Sequence, residues 1–124
     1  MNTHTLAHSA YAGAGRPTRS GRSTEYDLFA RVTRTLGEVR GGDAGYGALA
    51  RAIHDNRSLW TALAADVAIE TNPLPRPLRA QIFYLSEFTA QHSRKVLAGD
   101  ASVDVLIDIN TAVMRGLRGE GAAQ

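Results

Sequence analysis

The sequence predicts an all-α fold, a small antiparallel helical bundle of four to five helices behind a flexible N-terminal leader. Three observations lead there. From Ser23 onward, apolar residues recur at steps of three and four, with no strand-like alternation of useful length. The prolines of Asn72-Pro73-Leu74-Pro75-Arg76-Pro77 separate two such stretches of matching length. Cysteine is absent, so packing alone must hold the fold, and 124 residues with 44% hydrophobic content suit one small domain.

The elements follow in chain order. Residues 1–22 form the expected leader: Arg16, Arg19 and Arg22 occur without an acid, and Gly13, Gly15, Pro17, Ser20 and Gly21 bury little apolar surface, too little to offset the entropy of ordering. A short helix around Leu6 to Ala12 is the exception, since Leu6, Ala10 and Tyr11 can dock one turn onto the body. The bundle itself is expected over residues 23–119. Its first helix starts at a capping arrangement of Thr24 and Asp27, carries Tyr26, Phe29, Val32, Leu36 and Val39 on one face, and stops at Gly41-Gly42. Gly37 inside it implies either a close neighbouring helix or a weak last turn.

Asp43 can cap the next segment, where Leu49, Ile53, Asn56, Trp60, Leu63 and Val67 step by 4, 3, 4, 3 and 4. Unbroken from Ala44 to Ile69 it would span about 39 Å, and a bend near His54-Asp55-Asn56 would shorten it. The prolines then reverse the chain. Leu78, Ile82, Leu85, Thr89, His92 and Val96 repeat the stepping as far as Gly99, with Phe88 widening the face, so the two helices should pack as an antiparallel hairpin. Asp100 or Ser102 can cap a last helix carrying Val103, Leu106, Ile107, Asn110, Val113, Met114 and Leu117, and residues 120–124 should fray.

Several classes of function drop out. No apolar run approaches the roughly 18 residues of a membrane span, and no signal peptide begins the chain, so the expected location is cytoplasmic. Without cysteine there is no thiolate catalysis and no cysteine metal site. His4 and His8 are spaced for a shared metal but lack a third ligand nearby, and His54 and His92 read as packed or hydrogen-bonded residues. Asp104 and Asp108 lie one turn apart on an exposed face, and no nucleophile or phosphate-cradling motif occurs. The chain is therefore read as a non-enzyme with no cofactor and no metal.

Asn56 and Asn110 are the more informative polar residues, because the stepping puts both on buried faces, where an unpaired amide costs about 1 to 3 kcal/mol. They either bridge helices or satisfy the backbone of a bound segment. Trp60, the single tryptophan, anchors either the core or a partner. Phe83, Tyr84 and Leu28 lie beside the apolar faces, which suggests a groove bordered by the hairpin and by the first or last helix, with Arg57, Arg79 or Arg94 at its rim. The candidate partner-binding residues are Asn56, Arg57, Trp60, Arg79, Phe83, Asn110 and Met114.

The residues also resemble a known family. Ala10-Tyr11, Thr24-Glu25-Tyr26-Asp27-Leu28-Phe29 with Val32-Thr33, and Asn56-Arg57-Ser58-Leu59-Trp60 with Asp66 are similar to strings of the FlaF family of bacterial flagellar biosynthesis regulators. Asn72 with Leu74-Pro75, Leu78-Arg79-Ala80-Gln81-Ile82 with Leu85, and Leu106-Ile107-Asp108-Ile109-Asn110 with Met114 and Gly116-Leu117 continue the likeness in the same order, over about residues 10–117. The resemblance implies a cytoplasmic, non-enzymatic helical protein that binds flagellin as a secretion chaperone and promotes its synthesis and export, functionally linked to the FlbT regulator. The alternative is an RNA-binding regulator of the flagellin message acting through the leader arginines, although three charges supply little affinity and base-stacking aromatics are few.

Overall fold

The computed structural model describes residues 19–117, with side chains described from Glu25 to Gly116. The short helix expected around Leu6 to Ala12 and the tail at 120–124 lie outside the described residues. Four helices make up the described part, α1 (Arg19–Glu38), α2 (Tyr46–Ala68), α3 (Arg76–Leu97) and α4 (Asp104–Leu117). They form an all-helical, antiparallel bundle in ring order, with α2 against α3, α1 against both α2 and α4, and α4 resting only lightly on α3.

Two clusters share the core. Phe29, Val32, Leu59, Trp60, Leu63, Val67 and Ile82 fill one half, and Leu36, Val39, Ala52, Ile53, Val96, Val103 and Leu106 fill the other. Apart from Ala52 and Leu59, which widen the buried side of α2, these are positions that the three-and-four stepping selects, because residues so spaced share one side of a helix. Phe29 meets Trp60 edge to face, with ring centroids 5.8 Å apart at 83°.

The boundaries depart from expectation at several points. α1 begins at Arg19, so residues 19–22 belong to the helix and not to the leader, and Thr24 lies within the helix, where it has no helix start to cap. Gly37 has open space around its missing Cβ and sits one residue before the end of α1, which settles it as part of a weak last turn with no close neighbour. α2 starts three residues after Asp43, from Gly45 at φ 92°, without a side-chain cap. It runs unbroken through His54-Asp55-Asn56, a length of about 34 Å at 1.5 Å per residue.

Polar side chains close the turns. Asn72 accepts from the Leu74 N–H and donates to the Asp66 carbonyl, while Arg79 reaches back to the carbonyls of Val67 and Ile69 at 2.9 and 2.8 Å. The carbonyls left over at the end of α2 thus find donors from the next helix. Pro77 occupies the first turn of α3, where a missing N–H does no harm. At the opposite end Ser102 caps α4 by accepting from the Asp104 N–H, Tyr46 donates to the Leu97 carbonyl, and Arg40 binds the Asp104 carboxylate at 2.6 Å.

Two consequences can be measured. Gly99 follows α3 at φ 84°, a left-handed conformation that disfavours any Cβ. Gly99→Ala should lower the free energy of unfolding by about 1 kcal/mol in urea titration. The hydrogen bond from Arg40 holds the Asp104 carboxyl below its ordinary range, with smaller help from the Arg40 charge and Ser102. A depressed folded pKa stabilises above the unfolded value and loses that contribution as pH falls through the folded one. The stability gap between wild type and Arg40→Gln should therefore be present at pH 7 and close on acidification below the usual carboxylate range.

Candidate functional site

The stepping that makes α2 and α4 amphipathic puts three polar side chains into the bundle centre. Trp60 donates from Nε1 to Asn110 Oδ1 at 2.9 Å, and Asn110 donates from Nδ2 to Asn56 Oδ1 at 2.8 Å. All three residues are buried to within 1%. The chain of bonds crosses the diagonal from α2 to α4, two helices whose backbones are not in contact. Asn56, Trp60 and Asn110 therefore form an internal bridge, and none of them lies on the surface of the described residues. Pairing the Asn110 amide and the Asn56 Oδ1 across helices avoids most of the penalty that isolated amides would carry.

The bridge is not saturated on the side of α3. Asn56 Nδ2, Thr89 Oγ1 and Ser93 Oγ are buried without a hydrogen-bond partner. The bond from Ser86 Oγ to the Trp60 carbonyl sets the register of the hairpin. Because α2 and α3 run antiparallel, that register places Asn56 level with the turn between Thr89 and Ser93. A polar layer thus crosses three helices.

Among the other candidates, Arg79 is committed to the α2 carbonyls, and Met114 is half-buried against the Trp60 cluster. Arg57 is exposed on α2, and Phe83 is 46% exposed on α3. At 100° per residue Phe83 falls on the flank of α3 away from α4. The seven candidates do not converge on one surface. His92 donates from Nε2 to the Ser102 carbonyl at 2.8 Å and stacks on Phe88, a structural role in line with expectation. Among the described residues no group of three or more His, Cys, Asp or Glu is arranged for a metal, and no helix is long and apolar enough to cross a membrane.

One surface does stand out, where α3 and α4 face each other. The His92 to Ser102 bond fixes which flank of α3 turns to α4, and helical spacing then aligns Leu78, Gln81, Leu85 and Phe88 opposite Val105, Ile109, Ala112 and Gly116. Leu85 and Ile109 pack inward on the Trp60 cluster, whereas Leu78, Phe88 and Val105 remain 41%, 36% and 38% exposed. No charged side chain falls within this strip. A Cβ at Gly116 would meet nothing within 4 Å, so another backbone can approach there. Since α4 packs on α1 and only lightly on α3, the strip is a seam that the bundle leaves incompletely closed.

A family model described as Flagellar protein FlaF matches residues 7–117, nearly the whole chain. The chain belongs to the FlaF family. No curated protein and no solved structure matches it. The strings that suggested FlaF divide by role in the fold. Asn56-Arg57-Ser58-Leu59-Trp60 and Ile107-Asp108-Ile109-Asn110 carry the internal bridge, while Asn72 and Arg79 carry the hairpin turn. In this chain those strings serve the scaffold.

Truncating the centre of the bridge tests this assignment. Asn110→Ala strands the Trp60 N–H and the Asn56 carbonyl and opens a small cavity, so this FlaF protein should lose about 2 to 4 kcal/mol of stability. Asn56→Ala and the double variant complete a cycle that should show coupling of at least about 0.5 kcal/mol by thermal or urea unfolding.

Proposed function

We propose that this FlaF-family protein is a flagellin-binding secretion chaperone that promotes flagellin synthesis and export, acting in the cytoplasm before the subunit leaves the cell. The observation that carries the proposal is the uncharged apolar strip between α3 and α4. Its three exposed apolar residues lie along more than two turns of helix, enough for one partner helix to lay its apolar face against them. Ala112 and Gly116 keep the α4 side low, so such a helix can approach closely.

Membership of a flagellar family directs the choice of partner. A flagellin subunit before polymerisation carries terminal segments of amphipathic pattern whose apolar stripes need cover. Ordering such a segment takes about 2 to 5 kcal/mol from the gross interaction, which favours a releasable complex over a permanent one. Weak holding suits an escort that must surrender its cargo. The functional link to FlbT belongs to the same proposal, as an opposing input on flagellin production.

The strip corresponds to one of the two expected groove borders, the last helix. Of the two helices considered beside the hairpin, α4 is the one that leaves an apolar seam, because α1 is packed on both of its neighbours. Arg57 and Phe83 fall outside this seam.

Binding of a fluorescent flagellin terminal peptide, followed by anisotropy, tests the proposal. The full chain should bind at micromolar concentration, and Gly116→Arg, which sets a long charged side chain into the strip, should weaken binding at least tenfold with helicity and Tm unchanged. Phe83→Ala on the opposite flank should leave affinity within twofold. Absence of binding to any flagellin fragment, or salt-dependent binding of a flagellin message that is lost on deleting residues 1–22 while no flagellin binds, would reject the escort role.

A further inference from the structure

The rim of the α3/α4 strip carries two opposite charges that the chain itself leaves without a counterpart. Asp108 and Arg115 are exposed on α4, and helical spacing sets both beside Ala112, on the border of the strip that faces away from α3. They lie about 10 Å apart along the helix axis. Neither side chain takes part in a hydrogen bond or ion pair within the described residues, whereas Asp104 on the same flank is held by Arg40.

That spacing is self-complementary. When two copies of α4 lie antiparallel about a two-fold axis level with the midpoint of Thr111 and Ala112, Asp108 of each copy meets Arg115 of the other, on the same flank of both helices. Ala112 then sits at the axis, where its small side chain lets the two helices approach. A parallel arrangement would instead set Asp108 against Asp108 and Arg115 against Arg115. The same axis orders the rest of the strip. Because Leu85 lies level with Ile109, the axis crosses α3 at about Ile82, which brings Phe88 to within about 3 Å of the level of Leu78 in the second copy. Tyr84, 67% exposed, comes beside Gln81 of the second copy in the same way. One operation thus matches acid with base, apolar with apolar, and a phenol with an amide.

We propose that two copies of this chain pair through their α3/α4 strips about that two-fold axis when no cargo is bound. The dimer closes α3 and α4 from each copy around an uncharged centre, and so covers the apolar surface of a protein waiting for cargo. With few exposed apolar residues in each copy the interface belongs to the small, reversible class, and dissociation frees the strip. Pairing does not depend on what the cargo is. Only the competition between pairing and flagellin rests on the function proposed above.

Sedimentation equilibrium of the full chain tests the pairing. As concentration rises from about 1 to about 300 μM, the mass should climb toward twice that of one chain. Asp108→Arg alone and Arg115→Asp alone set like charges face to face, and each should weaken self-association at least tenfold with helicity unchanged. Mixed one to one, these two variants carry matching rims and should associate with each other as tightly as wild type does with itself. The double variant Asp108→Arg/Arg115→Asp should recover self-association. Because the chain has no cysteine, Ala112→Cys reports the axis directly, and under mild oxidation it should form a disulfide between copies at least tenfold faster than His54→Cys on the exposed face of α2. A monomer throughout the range, single reversals without effect, a mixture that fails to associate, or equal disulfide rates would each overturn the proposal. In a separate measurement, a flagellin terminal peptide should convert the dimer to a one-to-one complex, and a dimer that binds peptide while staying paired would overturn the competition. If no peptide binds at all, the escort role fails while the mass still decides the dimer.

Discussion

The bundle depends on a hydrogen-bonded diagonal. In a ring of four helices each neighbour is held by side packing, but opposite helices are held only through what meets in the middle. Here Trp60, Asn110 and Asn56 meet there, and their two bonds fix the rotation of α4 relative to α2. A purely apolar centre would tolerate several rotations of a short helix, since hydrophobic contact has no direction. An amide pair with one indole donor tolerates few, because each misalignment leaves a buried group without a partner. The register of α4, and with it the set of residues it turns toward α3, follows from this constraint.

Much of the fold was legible because its signals are local and periodic. The stepping of Ile53, Asn56, Trp60, Leu63 and Val67 depends on 3.6 residues per turn and nothing more, and all five are buried. The hairpin was equally visible in its prolines. Helix starts were not. Thr24 with Asp27 makes a plausible cap in isolation, yet α1 begins at Arg19, where the preceding sequence is rich in glycine and arginine and gives no such signal. Asp43 failed for a related reason. Gly45 turns the chain with a positive φ, which places the start of α2 beyond the aspartate.

The seam was harder to see for a different physical reason. Apolar periodicity reveals which side of a helix is inward, but it does not say how tightly two neighbours close. Phe88 reads as widening an ordinary core face, and only the arrangement of α4 against α1 shows that α3 is left partly uncovered. Phe83, the more conspicuous aromatic, sits on the other flank. Arg79 looked like a rim charge, whereas its guanidinium serves the carbonyls at the end of α2. The available signal for the seam was negative: along Leu78, Gln81, Leu85, Phe88 and along Val105, Ile109, Ala112, Gly116 no charge interrupts the surface.

Beside the central bridge, three polar links between helices gather at one end of the bundle. Arg40 with Asp104, Tyr46 with Leu97 and His92 with Ser102 join the end of α1 to α4, α2 to α3, and α3 to the start of α4, all toward the end where α3 turns into α4. The molecule is in this respect a clothes-peg. Its sprung end keeps the helices in register, and its jaws are the beginning of α3 and the last turns of α4, which rest only lightly on each other. For the proposed escort role, such jaws suit the grip of helices of differing girth with little refolding of the bundle.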